Sequence, residues 1–113
     1  MKNNYIFKHL SEIKFVNTSH QSGKKKVFIT QNNCKSQIMQ AAKGYLNAGE
    51  KIEEHLHHSM EEFYFFESGI VNFFIDNKEI KCKKGTFIMV PEKCNHFMEA
   101  LTKTTFIYWG VAF

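Results

Sequence analysis

The run from Gly49 to Gly69 constrains this chain more than any other stretch, because it carries His55, His57 and Glu62 in close succession, and a lone His96 follows in the segment opened by Gly85 and Pro91. Three imidazoles and one carboxylate at these offsets can make a mononuclear metal site. His96 must then arrive from a distant part of the chain, which only a closed fold can arrange.

Read locally, the same run is ambiguous. Ile52, Leu56, Met60 and Phe63 fall at helical spacing in a sequence rich in Glu, Lys and Met, so Lys51 to Phe63 by itself reads as an amphipathic helix. Glu54 and His57 would then form an E-x-x-H pair of the kind used in carboxylate-bridged metal bundles. Such a bundle needs partner helices with carboxylates of their own, and the rest of the chain offers strands with few acidic residues. Tertiary context should therefore override the helical signal.

The remaining sequence reads as an all-β sandwich or barrel. Short apolar runs recur at Val27-Phe28-Ile29, Ile38 to Leu46, Glu62 to Phe66, Ile70 to Ile75, Phe87 to Val90 and Thr105 to Val111. β-Branched and aromatic residues dominate them, and turn residues such as Asn47 to Gly49, Ser68-Gly69, Asp76-Asn77, Lys84-Gly85 and Pro91 separate them. Ile75-Asp76-Asn77-Lys78-Glu79 is a strong hairpin signal, because Asn tolerates the positive φ that tight hairpin turns demand. With Lys51 to His57 extended, side chains alternate with period two and His55 and His57 share a face. His58 to Glu61 is then the turn, and Glu62 opens the next strand with Tyr64 and Phe66 on its own face.

A chain of 113 residues, 43% hydrophobic with 12 Phe, supplies one domain with one core. Its net charge of +4 comes without a single Arg, so the guanidinium fork used for base readout and bidentate phosphate contacts is missing, and nucleic acid is not an expected partner. Lys24-Lys25-Lys26 and Lys81-Cys82-Lys83-Lys84 read instead as solvated turns and a charged edge strand. Cys34, Cys82 and Cys94 form neither a CxxC pair nor a disulfide framework, which suits a reducing compartment. No signal peptide and no apolar run of membrane-spanning length is visible, so the expectation is a cytoplasmic protein without a membrane partner.

These residues resemble the cupin superfamily. Gly49-(x5)-His55-x-His57-(x4)-Glu62-(x6)-Gly69 matches every fixed position of its first motif, and Gly85-(x5)-Pro91 with His96 five residues on matches part of the second. The departures are Lys93, where the second motif usually has Gly, and Ala100, where it often has Asn; neither is a ligand position. The resemblance covers about Gly49 to Ala100. It implies a jelly-roll β-barrel (a double-stranded β-helix) of six to eight strands, with a core at about 25–113 and an N-terminal strand or arm at 1–24. It also implies a divalent metal, Fe, Mn, Ni, Co, Cu or Zn, held by His55, His57, Glu62 and His96. Glu61 competes with Glu62 for the carboxylate role, and the spacing to Gly69 favours Glu62.

Beside these, Tyr64, Phe66 and Met98 are weak candidates for a substrate pocket, since such residues on strand faces are core residues more often than substrate contacts. His58 belongs to the turn, and His9 and His20 are expected at the surface. Cys94 reads as a buried, inert thiol. Phe63 to Phe66 and Phe73 to Ile75 are apolar on both faces, which points to a homodimer built through a sheet face. The expected function is a metal-dependent enzyme of dioxygenase or isomerase type, acting on a small oxygen-rich metabolite such as a sugar acid, keto acid or diketone. A non-catalytic module that binds a small ligand or a metal is the competing class.

Overall fold

The computed structural model of the chain describes residues 5–20, 22–55 and 57–113, with Glu54 and His55 described by their backbone alone. Ten strands are present among these residues: β1 (Val16–Asn17), β2 (Lys24–Thr30), β3 (Ile38–Leu46), β4 (Lys51–His55), β5 (Met60–Ser68), β6 (Val71–Ile75), β7 (Lys78–Cys82), β8 (Phe87–Val90), β9 (His96–Ala100) and β10 (Thr104–Ala112). Two antiparallel sheets, in the orders β1-β2-β3-β10-β5-β8 and β4-β9-β6-β7, face each other as a jelly roll. The strand count exceeds the six to eight expected: the arm supplies β1, and β7, the second strand of the expected Ile75 to Glu79 hairpin, runs on through Lys81 and Cys82.

Alternation decides which residues fill the space between the sheets. Tyr64 and Phe66 on β5, Val71 and Phe73 on β6, Ile88 and Val90 on β8, and Phe106 on β10 all point inward and are buried. Their odd or even neighbours form a second, outer aromatic layer, in which Phe63 stacks on Trp109 at 5.4 Å between centroids and Phe74 stacks on Phe97 at 4.3 Å. The runs that are apolar on both faces thus satisfy each other partly across strands.

Turn chemistry fixes the register. Asp76 and Asn77 both have positive φ, at 47° and 64°, so the β6–β7 hairpin closes in two residues with Ile75 opposite Lys78. Gly69 sits at φ 88°, and a Cβ there would run into Thr104, so no other residue fits the β5–β6 turn. The helix read locally over Lys51 to Phe63 does not form, since β4 and β5 occupy its two ends and pair with β9 and β10. The turn between them lies two residues earlier than the expected His58 to Glu61, because β4 ends at His55 and Met60 and Glu61 already pair with Ala112 and Val111.

The lysine runs divide. Lys78 and Lys81 do lie exposed on β7, the edge of the smaller sheet, where charge protects open backbone groups. Lys24 to Lys26, expected in a solvated turn, instead begin β2 and pair with β1 and β3. Lys25 is half-buried there and lines the cavity between the sheets.

Candidate metal centre and cavity

Three donor groups come together at one place between the sheets: among the described residues, ligand atoms of His57, Glu62 and His96 all lie within 4.8 Å of one another. Each arrives on a different element. Glu62 stands on β5 between Val90 of β8 and Gly110 of β10. His96 opens β9, 2% exposed. His57 follows β4, and its backbone carbonyl accepts from the N–H of Lys93 at 2.6 Å, which ties the loop carrying it to the turn after Pro91.

His96 is the most constrained of the three. Its Nδ1 lies 3.0 Å from the carbonyl oxygen of Cys94, and a carbonyl can only accept, so Nδ1 carries the proton. The Nε2 lone pair then faces Glu62 Oε1 at 2.8 Å, while Glu62 Oε2 lies 3.4 Å from His57 Nε2. A lone pair set against a carboxylate oxygen at that distance calls for a shared cation, either a proton or a metal ion. Two ligand atoms at right angles and about 2.1 Å from one ion stand about 3 Å apart, so the observed separations and the donor chemistry fit a divalent transition metal. The backbone carbonyl holding Nδ1–H supplies the outer-shell orientation that metal-binding histidines require.

The imidazole of His55, the fourth expected ligand, lies outside the described residues. Its backbone does not: His55 stands opposite His96 in the β4–β9 pair. The register shifts between Ile52, which pairs with Met98, and His55, so β4 spends three residues where β9 spends two. Without this bulge, simple alternation from buried Ile52 would put Glu54 opposite His96.

The group opens into a cavity of about 440 Å³. Its wall includes His57, Glu62, Tyr64 and Met98, together with Ile52, Met60, Phe106 and Tyr108, and toward the N-terminal strands Lys25 and Gln40. Of the three expected pocket residues, Tyr64 and Met98 line the cavity. Phe66 does not: it is buried in the core behind Tyr64, at 6.4 Å between ring centroids. His20, expected at the surface, is half-buried and lines the cavity, in a loop where its backbone N–H donates to Thr18 Oγ1. His9 and His58 are exposed as expected.

Tyr64 is more than lining. Its hydroxyl donates to Glu62 Oε1 at 3.0 Å, so that oxygen is shared between the phenol and His96. Burial, reinforced by the Glu62 charge and this hydrogen bond, pushes the Tyr64 phenol well above its ordinary range. Burial and the same carboxylate push Tyr108 up to about 12. Cys94 is buried, which raises its thiol, and it contributes to the site through its carbonyl.

Tyr108, Lys25 and Gln40 escaped the sequence reading. Tyr108 was accessible in principle, since Phe106 and Tyr108 alternate inward along β10. Nothing local marks Lys25 or Gln40, which face the cavity only because β2 and β3 pair.

A family model described as the cupin domain matches residues 44–109, and the chain belongs to that family. In fold it is similar to a predicted oxalate decarboxylase from Thermotoga maritima (18% identity over 93% of this chain and 97% of that one, TM-score 0.85). It is also similar to KdgF from a Halomonas species (12% identity, 96% and 92% coverage, TM-score 0.79) and to ectoine synthase from P. lautus (12% identity, 96% and 78% coverage, TM-score 0.82). No curated protein matches the sequence. Among the described residues, no helix is long and apolar enough to cross a membrane.

Proposed function

We propose that this single-domain cupin is a metal-dependent enzyme of dioxygenase or isomerase type, acting on a small oxygen-rich metabolite such as a sugar acid, keto acid or diketone. One observation carries the reading: His57, Glu62 and His96 converge, with the His96 lone pair facing the Glu62 carboxylate, beside a cavity of metabolite size. With His55 from the strand beside His96, they would hold one divalent transition metal. Bound there, such an ion supplies Lewis acidity toward an enolate, hydroxy-ketone or carboxylate oxygen.

The chain's own residues set the conditions for that chemistry. The Cys94 carbonyl fixes the His96 ring, and Tyr64 holds Glu62 in a single orientation. Ile52, Met98 and Phe106 make part of the cavity wall apolar, which strengthens charge interactions beside them. Tyr64 and Tyr108 stay protonated through the physiological range and so donate hydrogen bonds rather than remove protons. That property also favours the second reading, a non-catalytic module that binds a small ligand, because neither phenol is poised as a base.

We further place the protein in the reducing cytoplasm, in keeping with its three free cysteines, and as a homodimer. The outer face of β5, β8 and β10 leaves Phe65, Phe87 and Met89 41%, 54% and 42% exposed beside Phe63 and Trp109, a contiguous apolar surface suited to a second copy.

The test is metal analysis of the purified protein and of His96→Ala, followed by oxygen uptake and turnover across keto acids, uronates and diketones. A transition metal near one per chain that is lost in the variant, with turnover of a panel member, is the expected result. Equal metal content in both proteins would overturn the metal site. Silence across the panel with metal fully loaded would favour the binding module.

A further inference from the structure

We propose that Lys25 and Gln40 form an anchor for a carboxylate of the ligand, remote from the group that meets the metal, so that the cavity selects acids carrying a second carboxylate. This rests on the reading of His57, Glu62 and His96 as a metal-binding end.

Lys25 is held for such a role. It enters β2 opposite Gly44 of β3, and its ammonium reaches along that strand to Gln40, donating to Oε1 at 3.0 Å. The intervening inward residue, Ala42, has no bulk to block the path. Tyr108 donates its hydroxyl to the same Gln40 Oε1 at 3.4 Å. An ammonium can only donate, so these contacts fix the amide orientation and commit its oxygen. What remains on offer is donors alone: the Gln40 NH2 and the other protons of the Lys25 ammonium. A planar carboxylate, which is acceptor-only and presents two oxygens, complements that pair.

Charge supports the assignment. Among the described lining residues Glu62 is the one carboxylate, and it is engaged by His96 and Tyr64, whereas Lys24 and Lys25 both border the cavity. Lys25 makes no ion pair with a carboxylate among the described residues; its contact is a neutral amide. A partly buried ammonium that meets only a neutral acceptor is destabilised, and burial accordingly lowers its pKa. An incoming carboxylate relieves that penalty. The lysine thus stands ready to discriminate by charge from β2, three strands across the sheet from Glu62 on β5.

The test compares two 2-oxo acids of matched backbone on metal-loaded protein by calorimetric titration: 2-oxoglutarate, with a remote carboxylate, and 2-oxopentanoate, without one. Wild type should bind the diacid at least tenfold more tightly. Lys25→Met, which keeps the stem and removes the charge, should erase that preference while leaving metal content and 2-oxopentanoate affinity unchanged. Lys25→Arg should restore most of it. A preference that survives Lys25→Met, no preference in wild type, or no binding of either acid would each overturn the anchor. Metal analysis of the same samples separates this from failure of the metal end: wild type without metal refutes that end, and the diacid preference and its loss in Lys25→Met are then read on the metal-free protein.

Discussion

The backbone N–H of Lys93 donates to the carbonyl of His57 at 2.6 Å, joining the two halves of the metal centre through a residue held at φ 60°. The left-handed conformation is uncomfortable for a lysine, because its Cβ crowds the following carbonyl. The family's usual glycine would adopt it without strain, yet the chain keeps both the turn and its hydrogen bond.

Lys93→Gly should therefore stabilise the protein. Removing left-handed strain gains about 1 kcal/mol, and the greater freedom of the unfolded glycine returns part of it, leaving a net gain of about 0.5 kcal/mol. A denaturant titration should show a higher midpoint with an unchanged slope.

Tyr64→Phe removes the phenol that shares Glu62 Oε1 with His96. Hydrogen bonds to charged groups contribute about 1.5–3 kcal/mol, and the outer partners of metal ligands typically govern 10–100-fold in affinity. Competition with a chelator should register a loss of metal affinity of at least tenfold, while circular dichroism stays that of the folded barrel.

Metal should stabilise the fold as any ligand specific to the native state does. With free metal at about 100 times its dissociation constant the gain is about 2.7 kcal/mol. Thermal melts with and without a chelator should differ by several degrees in wild type, and the difference should vanish in His96→Ala.

Raising the pH should destabilise the protein through Tyr108. Its folded pKa of about 12 lies above the unfolded value of about 10. The neutral phenol is therefore favoured by folding: the contribution is fully present below pH 10 and is lost as pH rises toward 12, amounting to about 2–3 kcal/mol. Tyr108→Phe should flatten the dependence of stability on pH over that window, measured by denaturant midpoints.

The proposed homodimer is tested on the outer face of β8. Phe87→Lys combined with Met89→Lys places charge on two exposed apolar positions without touching the core. Sedimentation analysis should find a dimer for wild type and a monomer for the variant; a monomeric wild type would refute the proposed association.

Much of this molecule is written in local chemistry. Alternation along β3, β5, β8 and β10 and the turn residues at Gly69, Asp76-Asn77 and Gly85 specify strands and hairpins, because period two and positive φ are properties of a few adjacent residues. The spacing of His55, His57 and Glu62, joined to His96, likewise carries the family and the donor types. Tertiary pairing decided the rest. It suppressed the helical signal over Lys51 to Phe63, since the β-ladders with β9 and β10 bury what an isolated helix could not. A bulge in β4, invisible to any pattern of hydrophobicity, set His55 opposite His96 where alternation from Ile52 would have set Glu54. The pairing of β2 with β3 turned Lys25 from an expected solvated turn into the cavity and brought it to Gln40, a contact between residues far apart in the chain. Side-chain identity and short-range geometry determine which chemistry is available; only closure of the two sheets determines which of those groups meet.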